Sequence, residues 1–364
     1  MTLIQAGVIA LIAVVCFLVL YPRVKTDKKG KVILTLCLIA VLSITAVMSA
    51  ATLMLVYRED DEESQIRSIA RARVEQRIEE TLEIMDRIPV DETSMKSFAF
   101  DHVKAEGRES LNEDQKKFYD DLLQKHKQLL PFEYLQKEVG YSGLDDLLSA
   151  AYALGIDYPL TESYCQLTEE LDGSVTTGIR SLYFLPQDSS MQELSGQEME
   201  LLKQELEIFD AQCDMIVEAI PRDRSVYDQY RFLAIYLSLG TVYDYEEIGG
   251  LMVSTPYGAI EGGLAICQGY SKAYEYLCEK ADLWCRCVSG VSSGVGHMWN
   301  LIRLEDGTYH VDITWSDDGN EPDSAGWYQY FAIPQDVILQ YDHEITDGTQ
   351  ATGVRMIFPD ALDY

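Results

Sequence analysis

Positive charge is scarce in this chain. Its 364 residues hold 29 Lys and Arg against 60 Asp and Glu, a formal net charge of −31 at pH 7. A surface this acidic repels phosphate backbones and anionic headgroups, so nucleic acid is excluded as a partner. Cationic peptides and amines are tolerated. No His-Glu-x-x-His or Cys-x-x-Cys pair occurs, which argues against a zinc hydrolase, and no Walker loop is present to cradle a nucleotide. No strand-to-helix Gly-x-Ser-x-Gly elbow of a serine hydrolase is read either. Internal repeats and low-complexity tracts are absent. No metal and no cofactor is expected.

Long apolar runs are confined to one end. Leu3 to Tyr21 and Val32 to Tyr57 carry no charge, and each is long enough to cross a hydrocarbon layer. Between them lie Arg23, Lys25, Lys28, Lys29 and Lys31 against the single acid Asp27. Basic loops stay on the cytoplasmic side. The expectation is a transmembrane hairpin over 1–57, held in the lipid bilayer, with everything after Arg58 extracytoplasmic. A signal peptide is the rival reading. The first run has no basic start, and only a loose Ser49-Ala50-Ala51 in the second resembles a cleavage site.

Further along, Ile66, Ala70, Val74, Ile78, Leu82 and Met85 recur at helical steps, a stripe read as packing or stalk rather than coiled coil. With the linker that follows it, this fills 58–108. A mainly helical region is expected over 109–222. Its helices lie before Pro131, from Ser142 towards Pro159, and over Gln192 to Glu218, with one strand at Thr176 to Leu185. The remaining 223–364 opens on a helix capped by Ser225 and ending near Gly240. A glycine-punctuated loop and a helix after Cys267 follow. Strands are expected at Val288 to Ser289, His297 to Arg303, Thr308 to Thr314 and Tyr328 to Ile333. Helices followed by consecutive antiparallel strands make an α+β pattern.

Chemistry concentrates between Cys267 and Trp315. Cys267 opens a helix, where free amide N–H groups and the dipole favour a thiolate and its own N–H can serve an oxyanion. His297 begins a strand after a flexible loop. Asp312 lies in a run whose alternation puts it on the face of His310 and Thr314. Taken singly, each is more often structural: a small buried hydrophobe, a packed imidazole, a paired carboxylate. Together they are a nucleophile, a base and an orienter. A turn at Asp306-Gly307 would pair Asp312 with Leu301 and leave His297 out of reach. A four-residue loop, Leu304 to Gly307, instead pairs Arg303 with Thr308 and sets Asp312 opposite Trp299, with His297 as its diagonal neighbour. His310, His343, His102 and His126 offer less, and Ser316 to Asp323 reads as a solvated acidic loop. Outside the apolar runs, Cys165, Cys213, Cys278, Cys285 and Cys287 accompany Cys267, and packing is the reading for Cys285 and Cys287.

Cys267-Gln-Gly-Tyr, His297-Met-Trp-Asn and Tyr309-His-Val-Asp312-Ile-Thr-Trp315 resemble the transglutaminase-like superfamily, nearest to bacterial surface transglutaminase-like proteins. The resemblance spans roughly Leu111 to Tyr364. It implies a papain-like core, a central helix bearing the cysteine packed on an antiparallel sheet, over 223–364. It also implies Cys267 as nucleophile, His297 as base and acid, and Asp312 as the residue orienting His297. Tyr257, in the loop before the nucleophile, is taken as a candidate oxyanion donor. Ala281-Asp282 stands where members commonly carry Leu-Gly, and the calcium sites of animal members have no match. The expected function is cysteine-dependent acyl transfer on amide bonds of a protein or peptide substrate, as peptidase, amidase or transglutaminase. The alternative is a non-catalytic cell-surface binding module on the same fold.

Overall fold

The computed structural model of the protein describes residues 67–89, 106–127, 132–159, 161–169, 175–183, 196–246, 248–322 and 324–345. Two compact units separate, Met1–Arg71 and Ala72–Tyr364, and the features below belong to the second. The expected membrane location is corrected here. Among the described residues no helix is long and apolar enough to cross a membrane. The longest of them, 23 residues from Gly196 to Glu218, is interrupted by Glu, Lys and Asp throughout. The two apolar runs within 1–57 lie outside the described residues.

Helix α1 runs over 67–87. Within the second unit its stripe of Val74, Ile78, Leu82 and Met85 packs into the main core, so the periodic face serves its own domain. Helices α2 (Glu113–Lys127) and α3 (Gln136–Asp157) enclose a small separate core that includes Tyr119, Leu122, Leu147 and Leu154. Around α3 the chain forms an antiparallel sheet ordered β1-β3-β2, from Phe132–Leu135, Val175–Tyr183 and Thr161–Glu169. Only β3 was legible in the sequence. Helix α4 (Gly196–Glu218) follows.

The main core is built on two helices. In α5 (Val226–Gly240), nearly every residue from Val226 to Ser238 is buried, the polar Asp228, Gln229, Arg231 and Ser238 among them. Its one internal ion pair joins Asp228 to Arg231 a turn later. Ser225 caps it as expected, its hydroxyl accepting from Asp228 N. Helix α6 (Cys267–Lys280) buries Tyr270, Tyr274 and Leu277 along one side. It packs on α5 and across a four-stranded sheet. That sheet is antiparallel, ordered β6-β5-β4-β7, from Gly307–Val311, Val295–Leu304, Cys285–Ser292 and His343–Ile345. Alternation divides its two faces. Ile302 and Leu304 join the main core, while Trp299 and Leu301 form a second cluster with Val288 and Trp284.

Two expected strands differ. The run Thr308 to Thr314 stops at Val311, because Asp312 turns the chain into a short helix α7 (Ile313–Asp317). Tyr328 to Ile333 is not a strand but a tight turn over Trp327–Tyr330, followed by a single bridge of Ile333 to His310. The fourth strand, β7, comes later. The letters Gly-Val-Ser-Ser-Gly at Gly290 to Gly294 do occur, but they carry one strand of a hairpin into the next, with Ser292 buried and no helix following. They make no nucleophile elbow.

Because Leu277 is fully buried where α6 joins the core, Leu277→Ala should lower stability by about 2–5 kcal/mol in urea unfolding. A loss below about 0.5 kcal/mol would mean that α6 is not a core element.

Candidate active site

Cys267 is the first residue of α6, preceded by Ile266 in extended conformation with no side chain capping the helix. Intrahelical bonding begins at Tyr270 N, which donates to Ile266 O, so the amides before it point out of the start of α6. Two features fix this end. Ile266 N donates to Val253 O at 2.9 Å. Gly269 sits so close to Val253 that any Cβ would fall 2.1 Å from its carbonyl oxygen, so only glycine fits. The same turn is tied to the strand that bears the histidine. The Ser271 hydroxyl lies 2.8 Å from Cys267 O and 2.9 Å from Met298 O, and Asn300 Nδ2 donates to Ser271 O at 2.9 Å. Polar contacts on either side of Trp299 thus hold β5 against the start of α6.

The hairpin register is the one that brings His297 to Asp312. Arg303 pairs with Thr308, and Leu304 with Gly307, around a two-residue turn at Glu305-Asp306. His297 Nε2 lies 2.6 Å from Asp312 Oδ2. Asp312 is held by its backbone as well as its side chain. Its N–H donates to Tyr330 O at 2.8 Å, and its Oδ1 accepts from Trp315 N at 3.2 Å as the cap of α7. With Nε2 committed to Asp312, the other ring nitrogen of His297 remains, and the Cys267 thiol lies near enough to act on the charge of the ring.

The electrostatics follow from this. Burial alone would lower the His297 pKa, but the Asp312 charge, its hydrogen bond and the Cys267 thiol lift it from 6.5 to about 10. Burial would likewise raise the Asp312 carboxyl. The charge and hydrogen bond of His297, with those of His343, outweigh burial and leave it below its ordinary value. The tyrosine near the nucleophile is Tyr243 rather than the expected Tyr257. A two-residue parallel bridge pairs Tyr243 with Ala265, and the Tyr243 hydroxyl lies against the main-chain N–H of Cys267. Tyr257 packs its ring on Phe209 of α4, centroids 5.5 Å apart, and faces the carboxylates of Glu261 and Glu205.

His343 was not singled out by the sequence, yet it is 2 % exposed and its Nε2 lies 2.8 Å from the same Asp312 Oδ2. No periodicity marks a three-residue strand. His310, by contrast, is structural. It accepts from Trp299 Nε1 at 2.8 Å and meets Gln335 Oε1 at 2.5 Å, and burial pushes its pKa down to about 4. His297, Asp312 and His343 offer donor atoms within 4.8 Å of one another, a group that could hold a metal ion. Both Nε2 atoms converge on one carboxylate oxygen at hydrogen-bond distance. Ligands of a tetrahedral zinc stand about 3.3 Å apart, so the arrangement present is a hydrogen-bonded one. Cys213, Cys267, Cys278, Cys285 and Cys287 are free thiols, and Cys213, Cys278 and Cys285 are buried.

No protein-family model matches the chain, and no curated protein matches it. Among solved structures it is similar to a TGase, at 18 % identity and a TM-score of 0.28, covering 47 % of this chain and 49 % of that one. It is also similar to a candidate cysteine protease from Cytophaga hutchinsonii, at 11 % identity and a TM-score of 0.25, covering 42 % of this chain and 64 % of that one. The chain therefore spans about half the length of the TGase it resembles. At such TM-scores neither likeness bears on the chemistry.

Two consequences of the raised His297 value can be measured. The folded pKa exceeds the ordinary 6.5, so the imidazolium contributes stability that is complete below about pH 6.5 and is lost as pH rises through about 10. In Asp312→Asn the Asp312 charge is gone while burial remains, so the His297 pKa should fall by several units in a ¹⁵N-imidazole NMR titration. A value still near 10 would place the source of the shift elsewhere.

Proposed function

We propose that the chain is a cysteine-dependent acyl-transfer enzyme acting on amide bonds of proteins or peptides. The observation that carries this reading is the line of contacts from Cys267 at a helix start, through His297, to the buried carboxylate of Asp312. It is the order of groups that an activated thiol needs.

In this mechanism His297 takes the thiol proton, and the Cys267 sulfur attacks the amide carbonyl. The carbonyl oxygen becomes an oxyanion facing the Cys267 N–H and the Tyr243 hydroxyl, which turns from accepting that N–H to donating to the substrate. Collapse breaks the C–N bond, and His297 delivers its proton to the departing amine, leaving a thioester on Cys267. Water or an amine then attacks the thioester, His297 takes the proton of the attacking group, and the thiol is released with an acid or a new amide. Asp312 stays ionised throughout and holds the imidazolium. Hydrolysis and amine transfer differ only in which nucleophile arrives, and a chain with net charge −31 admits a cationic amine without repulsion.

Residue-resolved iodoacetamide labelling is the first test. Cys267 should react fastest of the described cysteines at neutral pH, and His297→Ala should slow it by about 10²-fold. Equal rates at Cys213, Cys267, Cys278, Cys285 and Cys287 would sink the reading. A glutamine peptide with a labelled amine then separates the two outcomes, adduct for transfer and free acid for hydrolysis, and Cys267→Ala should produce neither.

A further inference from the structure

The sheet brings a third side chain to the carboxylate, from a strand far from it in the sheet order. In the order β6-β5-β4-β7, Asp312 follows β6 at one edge and His343 begins β7 at the other. Three strand spacings of about 4.8 Å would hold these edges about 14 Å apart in a flat sheet. Their side chains nevertheless meet at 2.8 Å. The sheet curls over Trp299, whose fully buried ring is flanked by His343 at 5.1 Å and by His297 at 5.8 Å, centroid to centroid. Room for that ring comes from Gly290 of β4, where a Cβ would fall 2.6 Å from the Trp299 ring edge.

We propose that His343 is a positioning residue of the site, a second imidazole that braces the Asp312 carboxylate in the orientation that aims His297 at Cys267. Its ring is held at both ends. Nδ1 lies 2.8 Å from Tyr341 O. Nε2 faces Asp312 Oδ2, and an ionised carboxylate only accepts, so the ring donates there. Three donors hold the carboxylate, His297 and His343 on Oδ2 and Trp315 N on Oδ1, while the Asp312 main-chain N–H donates to Tyr330 O. With Oδ1 anchored at α7, a donor on Oδ2 fixes the rotation of the carboxyl plane. That rotation decides where the His297 ring points. The other titratable groups facing Asp312 are His310, Tyr243 and Tyr330, and His297 and Tyr330 also lie against the His343 ring, as does Trp315. The His343 contact is among those that keep the Asp312 carboxyl ionised despite burial.

This inference rests on Cys267 being the nucleophile, and the test separates the two claims. Cys267 alkylation by iodoacetamide is followed against pH in the full chain for wild type, His297→Ala, His343→Leu and His343→Gln, with thermal unfolding in parallel. The expected result is an about 10-fold slower alkylation at neutral pH in His343→Leu. Its acid limb should shift to higher pH, because Asp312 loses one of the groups that keep it ionised. His343→Gln, whose amide can donate to Oδ2, should restore most of the rate and the limb. If His297→Ala slows alkylation but His343→Leu keeps both wild-type rate and limb, the positioning role is refuted and the nucleophile stands. If His343→Leu lowers the melting temperature and the rate but leaves the limb in place, His343 only supports the fold. If His297→Ala has no effect, the acyl-transfer reading and this inference fall together.

Discussion

One buried carboxylate decides the arrangement of this site. Asp312 is fully enclosed, and an ionised carboxylate in an apolar interior is costly unless it is paired and hydrogen-bonded. Two imidazoles and a main-chain N–H meet that cost here. Each partner comes from a different element, so satisfying Asp312 requires β5, β7 and the start of α7 to be in place at once. The hairpin register, the curl of the sheet and the turn at Tyr330 are therefore parts of one constraint. Cys267 enters it through His297, and through the contacts of Ser271 and Asn300 that join α6 to β5.

The acidity of the chain sharpens the point. With 60 acidic residues against 29 basic ones, most carboxylates find no cation and must remain solvated. The site uses histidine instead, at interior positions where a lysine or arginine would be harder to desolvate. His297 is driven to about 10 by the partner it serves, which favours an imidazolium beside the sulfur. A charged thiolate–imidazolium pair is the working form of many cysteine nucleophiles.

Much of this was legible in the chain itself, for physical reasons that differ by element. Ser225 before an apolar run, and Cys267 before Tyr270, Tyr274 and Leu277, are local signals, and both helices start where those signals lie. The register was only narrowed: period-two alternation left a turn at Asp306-Gly307 and the pairing of Arg303 with Thr308 both open, and the turn at Glu305-Asp306 selects the second. Thr308 to Thr314 was read too far as a strand. Asp312 there is better used as a helix cap, and the choice depends on Tyr330, 18 residues away. Tyr328 to Ile333 has strand composition but forms a turn, because Trp327 and Phe331 bury into the main core instead of alternating. His343 was missed for the same reason in stronger form. Its strand is three residues long, and its partner Asp312 lies 31 positions earlier. Short elements placed by distant contacts leave little pattern in sequence. The Tyr243 hydroxyl, brought to Cys267 by a two-residue bridge, belongs to that class as well.

The central claim is a covalent one, that an acyl group passes through the sulfur of Cys267. Its most direct test is to incubate the protein with a pool of peptides, quench in acid, digest, and search every cysteine for added acyl mass. The account predicts acyl groups on Cys267, removable by hydroxylamine and strongly reduced in His297→Ala. Acyl mass spread evenly over the other thiols, or none on Cys267 at any time point, would contradict it.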